Sequence, residues 1–280
     1  MKNLRDGLKS LKKMSIKESE QPSEVGLLTF GEHLEILRKM LFRIIAVVIV
    51  LAVIIFCFKK ETFAILLAPQ HYDFCTFKLI EHYMHVLGWD FHFTRYSIPL
   101  ISTELSAQFM THITISCVLA ILLASPYIVF ELFRFISPAL YESEKKYSYA
   151  VAVVIYALFL IGLLMSYYIL FPISFRFLAT YQVDESIVST ITLDSYISTF
   201  ITLTFLMGVV FQLPVFAYIL EKMGFIDADL LRKYRPYAFV IIMIIAAIIT
   251  PPDIFTLIMV TFPIYGLYEA SILVLRRTES

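Results

Sequence analysis

The residues in this sequence best suited to recognition are acidic side chains set among basic ones. Glu32 and Glu35 stand in the run Glu32-His33-Leu34-Glu35-Ile36-Leu37-Arg38-Lys39, and Glu142 and Glu144 precede Lys145 and Lys146. An ionised carboxylate only accepts hydrogen bonds and takes a guanidinium in a two-pronged fork, so two such groups offer a site for a cationic ligand. The competing reading is that these juxtamembrane charges simply pair with one another. Other polar groups promise less chemistry. His71, His82, His85 and His92 lie near Glu81 and Asp90, but His82-x-x-His85 supplies two metal ligands without a framed third, so a solvated loop and no metal are expected. Cys57, Cys75 and Cys117 lack redox or ligand spacing, and an odd count closes no disulfide framework. There is no G-x-S-x-G, no H-E-x-x-H, no P-loop and no pair of intramembrane carboxylates, so neither catalysis nor a cofactor is expected.

The elements that must position these groups are membrane spans. Of the 280 residues, 59% are hydrophobic and 16% charged, whereas a soluble domain carries about one quarter charged residues. The 23 Lys and Arg are offset by 23 Asp and Glu, which argues against a nucleic-acid binder. Apolar runs too long for a solvated surface exclude disorder and an ordinary cytosolic enzyme. Six such runs stand out: Met40–Phe58, Gln108–Phe130, Tyr149–Leu170, Tyr196–Leu220, Tyr237–Ile249 and Ile254–Leu275. The first gives about 28 Å of helix, close to the thickness of a hydrocarbon core. No small-residue cleavage site follows it, so it reads as a retained span.

The fifth run is short, about 20 Å, and leaves open a re-entrant piece or a short complete helix in a thinned bilayer. Pro251-Pro252 then forces a hard turn, making residues 237–275 a tight helical hairpin. Pro126 and Pro214 supply kinks, and Pro263 with Gly266 breaks the sixth run. Residues 59–107 read as one long loop with a polar middle, whose Ile101–Phe109 stretch is suited to lying along the membrane surface.

Charge placement tests the topology independently. With six spans and the N-terminus inside, only Lys59, Lys60, Lys78, Arg95 and Arg176 fall outside, and the other 18 Lys and Arg fall inside. That bias sets both termini on the inner side. Within the spans, Gln212 is expected either to close the gap that Pro214 opens near the Val210 carbonyl, or to line a polar cleft or contact a partner helix. His112 reads as a satisfied interfacial histidine, and Asp253 as the cap of the sixth helix.

Several stretches then repeat a known order: His33-Leu34-Glu35-Ile36-Leu37-Arg38, Ala68-Pro69, Ala124-Ser125-Pro126, and Phe135-Ile136-x-Pro138-Ala139-Leu140-Tyr141-x-x-Glu144-Lys145-Lys146. Phe171-Pro172, Gly208-x-x-Phe211-x-x-Pro214, Arg232-Lys233-x-Arg235-Pro236-Tyr237 and Thr250-Pro251-Pro252-Asp253-x-Phe255 continue it. Over about residues 29–275 the chain resembles the TatC family, the multi-spanning receptor subunit of the twin-arginine protein translocase. The resemblance implies an all-α membrane protein with six transmembrane helices in a curved, glove-like bundle, both termini cytoplasmic, and short fifth and sixth helices. It implies a multi-pass protein of the bacterial plasma (inner) membrane, with a flexible basic tail over 1–28, a membrane domain over 29–275 and a short tail over 276–280.

The function so implied is recognition of twin-arginine signal peptides on folded cargo, for export driven by the protonmotive force. The implied partners are small single-span subunits of the TatA and TatB type, membrane lipid and further copies of the chain, with no nucleic acid. On this likeness Glu144, Glu35, Arg38, Leu34 and Lys145 form the signal-recognition rim, and Gln212, Pro214 and Phe211 the intramembrane partner contact. Pro69, Pro126, Pro138, Pro251, Pro252 and Asp253 make structural turns. Two positions depart from the family. Ile36 stands where its motif has glutamate, with Glu35 about 100° away around a helix. Gln212 stands where glutamate is frequent, which removes a titratable group. The alternative reading, a secondary transporter for a small solute, needs matched halves around a midplane site, and no such repeat is present.

Overall fold

The computed structural model describes residues 30–90, 92–93, 99–136, 142–184 and 190–279. Contacts divide the chain between Arg43 and Ile44, inside the first helix, α1 (Phe30–Cys57). Beyond it come α2 (Lys59–Leu67), a 3₁₀ turn (Ala68–Gln70) and α3 (Cys75–Val86). A two-residue strand, β1 (Leu100–Ile101), precedes α4 (Ala107–Ile136) and α5 (Glu142–Met165). A π-helical turn (Ser166–Leu170) joins α5 to α6 (Phe171–Thr180), and β2 (Ile191–Thr192) leads into α7 (Leu193–Val210). The last elements are α8 (Leu213–Lys222), α9 (Ala228–Lys233), α10 (Arg235–Ile249) and α11 (Ile254–Glu279).

Among the described residues, five helical stretches are long and apolar enough to cross a bilayer: Leu34–Cys57, Ala107–Leu132, Val151–Thr180, Leu193–Lys222 and Ile254–Arg276. The shorter apolar helix α10, of 15 residues, is the sixth. With every long element helical, backbone polar groups are satisfied within each segment, as lipid requires. The protein is therefore an all-α membrane protein. Large apolar side chains such as Ile49, Val53, Ile161, Ile241 and Ile248 remain exposed because lipid, not water, is their solvent.

The core of the larger unit is aromatic. Phe171 meets Tyr196 and Phe200 edge-on, each at 5.0 Å between ring centroids, and Phe175 meets Tyr196 in the same way. Perpendicular packing sets a positive ring edge against a negative face. Tyr196 also donates its hydroxyl to the Leu66 carbonyl at 2.8 Å, so a buried polar tip finds a partner at the end of α2. The stretches before α4 and before α7 are tied together by parallel pairing of Leu100 with Ile191 and Ile101 with Thr192.

The structure corrects several expectations. Pro126 makes no turn: α4 runs straight through it. A proline at 126 leaves the Leu122 carbonyl without its usual donor, and the Ser125 hydroxyl donates to that carbonyl at 2.7 Å instead. Pro263 and Gly266 likewise leave α11 unbroken. The supposed long loop after the first span holds two helices, α2 and α3, because Phe74 and Phe77 give that polar stretch a face to bury. The Ile101–Phe109 stretch does not lie along a surface as one piece but divides into strand, bend and the start of α4. At the end of the chain α11 continues through Arg276 and Arg277, so residues 276–279 are helical. The expected tail over 1–28 and Pro138 lie outside the described residues.

Candidate functional site

α4 ends at Ile136 and α5 begins at Glu142, so the two antiparallel helices bring Glu131, Arg134 and the Glu144 position to one end of the bundle. Glu144 and Lys145 fall in the first turn of α5; their side chains lie outside the described set. Glu131 is buried, at 3% exposure. Its Oε1 accepts the Tyr127 hydroxyl at 3.1 Å and stands 3.9 Å from Arg134 Nη1. A buried carboxylate needs such partners to remain. Sequence reasoning passed over it, although a lone acid in Phe130-Glu131-Leu132-Phe133 at the end of an apolar run was a visible signal.

On α1, Leu34, Glu35 and Arg38 are all exposed. The Glu35 carboxylate is already engaged, with Lys39 Nζ at 2.8 Å one turn along. Exposed pairs of this kind hold weakly, so a guanidinium arriving there would displace lysine at small cost. Glu35 and Arg38, three residues apart, share one side of the helix.

A second polar feature lies at the seam between α5 and α7. A side chain at Gly162 would place Cβ 2.7 Å from the Met207 carbonyl oxygen, and one at Gly208 would place it 2.7 Å from the Phe159 ring. Only glycine lets these backbones approach so closely. α7 ends at Val210, and α8 restarts with Pro214 in its first turn, where a missing N–H costs nothing. Gln212 sits in this break. It does not serve the Val210 carbonyl; its Nε2 crosses to the Ile155 carbonyl of α5 at 3.0 Å. Its Oε1 is buried with no partner among the described residues. Phe211 and Pro214, on either side, are buried.

The α10–α11 hairpin is fastened at both ends. After Pro251-Pro252 the Asp253 carboxylate accepts the Thr256 N–H at 2.6 Å, the cap expected of it. At the far end Arg235 Nη2 lies 2.5 Å from Glu269 Oε2, and the Tyr265 hydroxyl donates to Glu269 Oε1 at 3.0 Å. Glu269 was also passed over in the sequence, hidden inside an otherwise apolar run. Pro69, the remaining predicted turn, is buried in the 3₁₀ turn after α2.

His112 is not the satisfied interfacial residue expected. Its ring is stacked on Phe56 at 4.0 Å and met edge-on by Phe63, and its Nε2 has no partner among the described residues. No group of three or more His, Cys, Asp or Glu that could hold a metal occurs among the described residues.

Residues 32–263 match the family model described as Sec-independent protein translocase protein (TatC). A TatC of Blattabacterium sp. subsp. Periplaneta americana is 34% identical over 258 residues, covering 89% of this chain and 96% of the relative. TatCy of Bacillus subtilis is 40% identical over 157 residues, covering 56% of this chain and 62% of the relative. The crystal structure of a twin-arginine translocase receptor, TatC, superposes with a TM-score of 0.68 at 30% identity, covering 89% of this chain and all of that one.

Proposed function

The chain belongs to the TatC family of Sec-independent protein translocase proteins, and from that premise we propose that it is the signal-peptide receptor of a twin-arginine translocase. It is a multi-pass membrane protein and a translocase subunit. In this reading it resides in the bacterial inner membrane with both termini in the cytoplasm, binds the paired arginines of folded cargo, and works with small single-span subunits under the protonmotive force.

One observation carries the proposal: Glu144 occupies the first turn of α5, at the end of the bundle that also holds the Glu131–Arg134 pair. An acid there is placed to meet a cationic signal as the signal's apolar part enters the bilayer, and charge-assisted pairing gives arginine the advantage over lysine. Glu35, Arg38, Leu34 and Lys145 are the further signal-recognition residues of this proposal. Gln212, with Phe211 and Pro214, marks the intramembrane contact with a partner helix in this proposal.

The test is binding of signal peptides carrying either paired arginines or paired lysines to the purified, reconstituted protein. Glu144→Gln is expected to weaken binding of the arginine peptide by about 1–3 kcal/mol, the scale of a hydrogen bond to a charged group. The two peptides should become nearly equivalent. Unchanged affinity and preference would remove Glu144 from the site.

A further inference from the structure

The segment between the first and second spans contains a helix with two unlike faces. The start of α3 and the face that carries Phe77 are fastened to the bundle. Phe74 stacks on Tyr168 at 5.8 Å, the Thr76 hydroxyl donates to the Tyr168 carbonyl, and buried Phe77 lies beneath the Arg176 guanidinium at 5.2 Å. The opposite face carries Leu79, Tyr83 and Val86, exposed by 58%, 59% and 69% and spaced four and three residues apart, so they form one stripe. Lys78, His82 and His85 run along its edge. The helix stops at Gly88, whose φ of 81° only glycine adopts readily. The Gly88 N–H returns to the His85 carbonyl and the Trp89 N–H to that of Met84, which closes the helix end and holds Trp89 against it. Trp89 is 68% exposed and is the single tryptophan of the chain.

Depth along the third span locates this helix. Tyr168 follows Lys146 by 22 residues of continuous helix, a rise of about 33 Å, just beyond a hydrocarbon core of about 30 Å. Arg176 lies about 12 Å further out, on the water side of the headgroup layer. The fastening of α3 to Tyr168 and Arg176 therefore holds it at the level of the headgroups, where an apolar stripe has acyl chains to enter.

We propose that α3 is an interfacial helix whose occupant is the phospholipid leaflet at the end of the bundle away from Lys145 and Lys146. Leu79, Tyr83, Val86 and Trp89 enter the boundary between headgroups and acyl chains, and the Lys78–His85 edge faces lipid phosphates. Lys78 is already paired with Asp73 at 3.4 Å, so the net charge of the edge is small and zwitterionic phosphatidylcholine suffices. The inference rests on the chain spanning a membrane and not on what it transports.

The single tryptophan makes the test direct. The full chain is reconstituted in phosphatidylcholine vesicles, with insertion confirmed by flotation, and Trp89 emission is quenched either by bromine on the acyl chains or by aqueous iodide. Most of the emission should be lost to brominated lipid and little to iodide. A Tyr83→Trp, Trp89→Phe variant, which reads the stripe itself, should behave alike. A Leu79→Asp, Val86→Asp variant that still floats should exchange the two responses; if it fails to insert, the two single-tryptophan proteins decide alone. Quenching by iodide without quenching by lipid overturns the proposal, because the stripe then faces water. Quenching by neither also overturns it, because protein then covers the stripe.

Discussion

Replacing Gln212 by leucine separates what this residue does for its own subunit from what it offers a neighbour. Within the subunit it makes one bond, Nε2 to the Ile155 carbonyl at 3.0 Å, and leaves Oε1 buried without a partner among the described residues. Interhelical hydrogen bonds in membranes average about 0.6 kcal/mol. An unsatisfied buried polar atom costs about 1–3 kcal/mol. Leucine forfeits the first and relieves the second, so Gln212→Leu should leave the isolated subunit no less stable, and more stable by up to about 2 kcal/mol. Reversible unfolding in mixed detergent micelles, followed by helical signal, gives that number. The same variant should lose single-span partners on co-purification, because the break between α7 and α8 is no longer held to α5 by the Gln212 amide. A loss of more than about 1 kcal/mol in the isolated subunit would mean that Oε1 already has a partner inside it. Full retention of partners would refute the docking role.

Two further substitutions probe the frame around this residue. Gly162→Ala drives Cβ against a backbone oxygen at 2.7 Å, whereas Gly208→Ala meets only side chains, the Phe159 ring edge and the end of Leu163. The first should therefore destabilise by about 1–3 kcal/mol, as overpacking does, and the second by less; the reverse order would discount the close backbone approach. At the hairpin end, Glu269→Gln keeps an acceptor for Tyr265 but removes the charge facing Arg235. Because the pair is partly exposed, a loss of at most about 1 kcal/mol is expected. Faster hydrogen exchange at the start of α10 should accompany it, and unchanged exchange there would show that the pair does not hold the hairpin.

The five long spans were legible because lipid imposes a simple rule: a stretch of about twenty predominantly apolar residues has few other uses. The hard turn at Pro251-Pro252 and the Asp253 cap were legible for a similar reason, since both follow from local backbone chemistry. What the sequence could not disclose was compensation across space. Pro126 looks like a break, and only the Ser125 hydroxyl on the Leu122 carbonyl shows why α4 ignores it. Gln212 stands beside a proline, yet its amide serves a carbonyl on another helix, 57 residues away in sequence. Around α3 the four histidines raise the question of metal chemistry, while Phe74 and Phe77, which fix the helix, lie unremarked in a stretch that reads as one long loop. Glu131 and Glu269 were hidden by the apolar runs around them, where one acid barely disturbs the pattern.

The π-helical turn at Ser166–Leu170 carries a consequence for how this chain tolerates change in length. Such a turn holds one residue more than an α-helical turn would. Its wider winding takes up that residue on the spot, so the helix leaves the turn at nearly the angle at which an unbroken α-helix would. Deleting a single residue within the turn should therefore restore ordinary winding and still leave Phe171 and Phe175 in the aromatic core and Arg176 above Phe77. The turn is slack stored in the third span: it can give up one residue without re-registering the stretch that grips both the core and α3.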